Sequence, residues 1–156
     1  MTKWLTLAGF VLVVFVAAGI GGLITRNSVP TWYATIHKPS WTPPNWLFGP
    51  VWTLLYISMA VAAWMVWQHG GWDKTSIALG VFALQLILNA AWTPVFFGAH
   101  RIGWSLVIIV LLWASIGATI AMFWRAAPLA GALLIPYWCW VSFAAALNYA
   151  LWRLNP

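Results

Sequence analysis

The sequence predicts an all-α fold: an integral membrane bundle of five transmembrane helices with a long ordered loop between helices 1 and 2. Three observations predict it. Of the 156 residues, 64% are apolar and only 5% are charged, against roughly 25% charged in an ordinary soluble domain. Charges and turn residues divide the chain into five apolar stretches, each near the about 20 residues that a spanning helix needs. No Lys, Arg, Asp or Glu falls inside any of them. So few charges cannot cover a water-soluble domain of this size. The net charge of +6 comes from isolated cations rather than a basic run, which argues against nucleic acid as a partner and leaves the lipid bilayer.

The elements follow in order. The first stretch, 5–24, is continuously apolar over Phe10–Ala18, which excludes the alternation of a membrane β-strand. It is too long for the apolar part of a secretory signal and reads as a retained helix. Stretches 47–68, 76–98, 102–124 and 129–152 complete the set. Backbone in lipid has no partner but itself, so all five are helices. Pro94 reads as part of the termination of the third span. Pro136, inside the fifth, removes a donor and frees the carbonyl of Ala132, so a kink is expected there unless the bundle tolerates it.

The connections His69–Thr75, Ala99–Arg101 and Arg125–Pro128 are short, which makes sequential helices antiparallel neighbours. The first connection, 25–46, is long. It holds Pro30, Pro39, Pro43 and Pro44 with Trp32, Tyr33, Trp41 and Trp46 between them. Prolines stiffen such a segment and aromatics give it something to pack with. An ordered cap over one end of the bundle is expected; the alternative is a greasy linker lying at the lipid interface. The whole chain, 1–156, reads as one domain.

An odd number of spans puts the termini on opposite sides. Lys3, Lys74 and Arg125 lie with the N-terminus; Arg26, Lys38, Arg101 and Arg153 lie with the loop and the C-terminus. The one-residue excess leans toward a cytoplasmic loop side.

Most catalytic chemistry is missing. Asp73 is the single carboxylate residue and it sits in a short connection. No acid/base pair is available, no intramembrane carboxylate can couple transport to protons, and no phosphate-binding loop is present. Cys139 is alone and reads as packing. His37, His69 and His100 have no metal-binding spacing. No cofactor is required by this inventory.

What the chain does contain is 15 Trp, more than interface anchoring demands. Depth along the helices groups them with the amides. At 1.5 Å per residue, Trp52 lies about 7 Å and Tyr56 about 14 Å below the loop side, with Asn89 near ~14 Å, Gln85 near ~20 Å, Asn148 near ~6 Å and Trp140 near ~18 Å. Gln85, Asn89 and Trp92 share one helix face by i, i+4, i+7 spacing. Trp140, Ala144 and Asn148 share another, with Tyr137 one turn earlier. Amides in hydrocarbon must point inward. Two readings stay open here: amides as glue between helices with Trp filling space, or a pocket beneath the loop. Flat aromatic walls, a few amides and a cationic rim of Arg26, Lys38, Arg101 and Arg153 suit a large planar apolar ligand with acidic substituents. Small-residue pairs Ala18/Gly22, Ser76/Gly80 and Gly117/Ala121 fit helix packing or a homodimer.

Three segments carry a resemblance: WYATIHKPSWTPPNWLFGPVWTLLY (Trp32–Tyr56), LQLILNAAWTPVFF (Leu84–Phe97) and IPYWCWVSFAAALNYALWRLN (Ile135–Asn155). They resemble the tryptophan-rich sensory protein/translocator protein family, which includes the peripheral benzodiazepine receptors, and the likeness covers all five spans in order. The overall similarity is to bacterial members. The resemblance implies a five-helix bundle whose pocket opens beneath the first loop and takes porphyrin, haem or a related tetrapyrrole. For mitochondrial members it also implies cholesterol and synthetic isoquinoline or benzodiazepine ligands. It implies roles in tetrapyrrole transport, sensing or stress regulation; alternatives are light-dependent porphyrin breakdown and a regulatory interaction module without a small-molecule site. Family pocket positions carry over onto Tyr33, Pro43, Trp52, Tyr56, Asn89, Trp92, Trp140 and Ala144. Those tied to porphyrin photochemistry carry over onto Trp32 and Trp140, and the sterol-contact pattern onto Leu147, Tyr149 and Arg153.

Overall fold

A computed structural model describes residues 2–156, and among these residues there are helices and turns but no strand. Seven helices follow the chain: α1 (Thr2–Ser28), the short α2 (Trp32–Thr35), α3 (Asn45–Trp67), α4 (Gly71–Thr93), α5 (Ile102–Ala126), α6 (Pro128–Leu133) and α7 (Ile135–Leu154). Five spans are long and apolar enough to cross a bilayer: Lys3–Ser28, Asn45–Trp67, Gly71–Gly98, Ile102–Ala126 and Pro128–Leu154. The all-α, five-span reading therefore holds, and the chain is a multi-pass integral membrane protein.

The ends differ from the sequence reading for one reason. Apolar stretches stop at the first charge, but helices run on into the interface. Thus α1 ends at Ser28 rather than Ile24, with Arg26 in its last turn. Likewise α4 starts at Gly71 rather than Ser76, with Asp73 in its first turn. Both charges complement the helix dipole at the end they occupy. Pro94 does not stop the third span: the backbone widens into a π-helical turn, Pro94–Gly98, closed by the Ala99 N–H on the Pro94 carbonyl at 2.8 Å. The chain then turns at His100, whose φ of +56° lies in the left-handed region.

The fifth span breaks at Leu134. Pro136 falls in the first turn of α7, where a missing N–H costs nothing. The Leu134 N–H turns to the Gly131 carbonyl at 3.1 Å, and the Ser58 hydroxyl of α3 donates to the Leu133 carbonyl at 3.0 Å. The break is thus satisfied from a neighbouring helix.

Around the bundle, α1 packs on α3 and α4, α4 on α5, α5 on α6 and α7, and α6 closes back on α3. Away from the loop the interior is solid. Met59, Ala60, Ala62, Ala63 and Val66 of α3 meet Leu79, Phe82, Ile116, Phe123 and Ala130, all buried. Gly131 lets α6 lie against α5: a Cβ there would stand 2.9 Å from the Trp124 ring and 3.0 Å from its backbone. Gly117 packs beneath the Trp138 ring, so this glycine serves contact within the chain.

At the other end the loop is an ordered roof. Trp32 stacks on His100 at 4.2 Å and meets Phe96 edge-on at 5.6 Å. Tyr33 is buried against Phe97, and Trp41 meets Phe143 of α7 at 5.8 Å. The C-terminus fastens it: the Asn155 side chain accepts from the His37 N–H and donates to the His37 carbonyl, both at 2.9 Å, and donates again to the Leu151 carbonyl.

Candidate ligand site: an aromatic chamber beneath the roof

Between roof and solid core lies a cavity of about 590 Å³, within the roughly 300–1,000 Å³ range of small-molecule sites. Its origin is local. In this half α3 and α7 meet through rings, Phe48 on Trp140 at 5.8 Å and Trp52 on Tyr137 at 6.2 Å. Rings of that size hold the backbones apart. The π-helical turn adds Phe96 and Phe97 to the wall, with Phe96 stacked on Trp92 at 5.0 Å.

Of the residues singled out from sequence, Tyr33, Trp52, Tyr56, Asn89, Trp92, Trp140, Ala144, Leu147 and Asn148 line this cavity. Gln85 and Tyr137 lie behind the lining, fully buried. Pro43 is half-buried in the roof, outside the lining, and Trp32 sits on the π-helical turn rather than in the chamber. Tyr149 and Arg153 are exposed on the outer side of α7, whereas Leu147 points inward. The sterol-contact pattern is thus split between two surfaces. Of the four cations read as a rim, Arg26 alone lines the cavity. Lys38 lies over the Tyr33 ring, 4.8 Å from its centroid.

The amides are neither pure glue nor free readers of ligand. Tyr56 Oη donates to Asn89 Oδ1 at 2.7 Å, Asn89 Nδ2 donates to Tyr137 Oη at 2.9 Å, and Tyr137 Oη donates to Gln85 Oε1 at 2.9 Å. This chain joins α3, α4 and α7. A second cluster centres on Asn148. Its Oδ1 accepts from Trp92 Nε1 and Ser105 Oγ, each at 3.0 Å, and its Nδ2 donates to the Ile102 carbonyl at 3.0 Å. Gln85, Asn89 and Asn148 each hydrogen-bond across helices, so these residues brace the walls. Among the described residues, Trp140 is the indole whose Nε1 is buried without a partner. A buried N–H without an acceptor is costly; the Trp140 ring lines the cavity, but its Nε1 is covered by protein and does not open onto the space. Burial pushes the Tyr33 hydroxyl above its ordinary pKa, so it stays protonated as part of the roof.

Several lining residues were not read from sequence: Phe15, Ala18, Gly19, Gly21 and Gly22 of α1, Phe48 of α3, and Phe96 and Phe97. The small residues of α1 carried a signal, but Ala18/Gly22 read there as a packing pair. Nothing in the sequence signals the clamp by Asn155.

The chain matches the TspO/MBR family over residues 10–153. It belongs to that family. It is 40% identical over 154 residues to the translocator protein of Homo sapiens, covering 97% of this chain and 91% of that protein. It is 42% identical over 153 residues to protein CrtK of Rhodobacter capsulatus, covering 97% and 94%. It is 46% identical over 138 residues to the tryptophan-rich protein TspO of Chlorobaculum tepidum, covering 87% of each. The roof and chamber described above lie inside the span that the TspO/MBR match covers.

Proposed function

We propose that this TspO/MBR chain binds a planar tetrapyrrole, a porphyrin or haem, in the chamber beneath the roof, in the service of tetrapyrrole transport or sensing. One observation carries the reading: a cavity of about 590 Å³ walled by Trp52, Tyr56, Trp92, Phe96 and Trp140. Flat rings favour a flat apolar partner by offset stacking and area burial. Arg26 at the edge offers a cation to an acidic substituent.

Protoporphyrin IX titrated into the purified protein is expected to quench Trp fluorescence saturably. Trp52→Ala and Trp140→Ala are expected to weaken binding by about tenfold each, the loss of one aromatic wall. Arg26→Gln is expected to weaken protoporphyrin IX but not its dimethyl ester. Parental affinity in both Trp variants would refute the site.

Photo-oxidative breakdown of porphyrin is the less supported alternative. The resemblance assigns it to Trp32 and Trp140, and of these only Trp140 lines the chamber.

A further inference from the structure

We infer that the ligand reaches the chamber sideways from the loop-side leaflet, through a slot between α1 and α3, and not through the roof. The inference rests on the binding site proposed above and adds the ligand's source: a bilayer-dissolved amphiphile rather than a water-borne one.

The roof is fastened on three sides. Asn155 holds both backbone groups of His37, Trp32 is stacked on His100, and Trp41 packs on Phe143 of α7. Opening it breaks all three attachments together. The α1–α3 seam is different. Its far half is stitched by Trp4 on Trp64, Phe10 on Trp67 and the Trp64 Nε1 bond to the Lys3 carbonyl at 3.0 Å. The last ring contact toward the loop is Phe15 on Tyr56, at 6.4 Å. Beyond it, among the described residues, no ring contact or hydrogen bond joins the two helices.

In that unstitched stretch five of the residues lining the chamber are exposed. These are Gly19, Gly22 and Arg26 of α1 and Gly49 and Thr53 of α3. Exposed wall residues along a seam without side-chain contacts mark the place where the wall is thinnest. Packing does not require the glycines. A Cβ on Gly19, Gly22 or Gly49 would meet nothing within 4 Å, whereas one on Gly21 would stand 3.2 Å from Thr93 Oγ1. Gly21 is small so that α1 can approach α4. The other three face open space, although glycine is a poorer helix residue than alanine. A clear path for a flat ligand is what their smallness provides. Gly22 lies about 9 Å below the end of α1, so the slot opens to acyl chains. Arg26, about one turn nearer the surface, meets the ligand's acidic end as the apolar body goes in first.

The test is stopped-flow Trp quenching with the full chain in lipid nanodiscs, protoporphyrin IX being delivered from vesicles. Gly22→Leu and Gly49→Leu, on opposite sides of the slot, are expected to slow association by about threefold or more and to slow dissociation as well, as a narrowed passage does; faster dissociation with parental association would mark them as binding contacts only and would overturn the slot. Gly9→Leu is the control, since it also meets nothing within 4 Å and does not line the chamber. Asn155→Ala, which releases the roof, is expected to leave both rates near the parental ones. Parental rates in both slot variants, or faster binding in Asn155→Ala, would overturn lateral entry while leaving the site itself intact. Absence of saturable quenching in the parent would instead remove the binding site on which the inference rests.

Discussion

The two halves of the bundle use the same spans in opposite ways. Away from the loop, Ala60, Ala62, Ala63, Ala130 and Gly131 let the helices touch, and the interior is filled. Toward the loop, Trp52, Trp92 and Trp140 prop them apart, and the interior is a chamber. The filled half is held by dispersion over many small contacts. The hollow half lacks that contact area and is held by directional bonds at Asn89, Tyr137 and Asn148. A cavity within a lipid-embedded bundle thus needs polar braces, because without them its walls could repack inward.

The largest effect is expected where a brace is cut. Asn148→Leu strands the Trp92 N–H and removes one partner each from the Ser105 hydroxyl and the Ile102 carbonyl, which still bond each other. It is expected to cost about 2 kcal/mol or more, since each buried group left unpaired costs about 1–3 kcal/mol. Thermal denaturation in detergent reads this directly. Next come two identical substitutions in opposite halves. Gly131→Ala drives a methyl into Trp124 and is expected to lose about 1–3 kcal/mol by overpacking. Gly22→Ala meets nothing and is expected to be neutral or to gain up to about 1 kcal/mol from helix propensity. Equal losses in the two would erase the contrast between halves.

A third pair is subtler. Trp92→Phe removes a hydrogen bond to Asn148, whereas Trp140→Phe removes none. The first is expected to be about 1 kcal/mol less stable than the second, and the second to lose ligand affinity instead. The smallest effect concerns the roof. Burial raises the Tyr33 pKa above 10.0, so the unfolded form gives up its proton first. The stability from a neutral Tyr33 is therefore complete below pH 10.0 and is lost as pH rises past it. Melting temperatures measured across that alkaline range are expected to fall less in Tyr33→Phe than in the parent.

Much of this was legible in the sequence because a bilayer imposes simple rules. Apolar runs without charge gave the spans, and i, i+4 spacing put Gln85, Asn89 and Trp92 on one inward face. What periodicity could not say is how far each residue stands from the cavity. Gln85 and Asn89 share a face, yet Asn89 lines the chamber and Gln85 lies behind it. That difference depends on where Tyr137 of α7 inserts. Helix ends were missed because Arg26 and Asp73 read as stops when they are dipole-matched last and first turns. Arg101 and Arg153 shared a side with Arg26, but a side of the membrane is not a rim.

The central claim is that the loop-side half is hollow in order to hold a flat ligand. Ala144 lies on the wall, half-buried and outside the polar braces. Ala144→Trp fills the chamber without cutting a hydrogen bond. Protoporphyrin IX titrated into this variant, with the melting temperature measured in the same sample, tests the claim most directly. The expected result is loss of saturable quenching with melting at or above the parental temperature; parental affinity in the filled protein would contradict it.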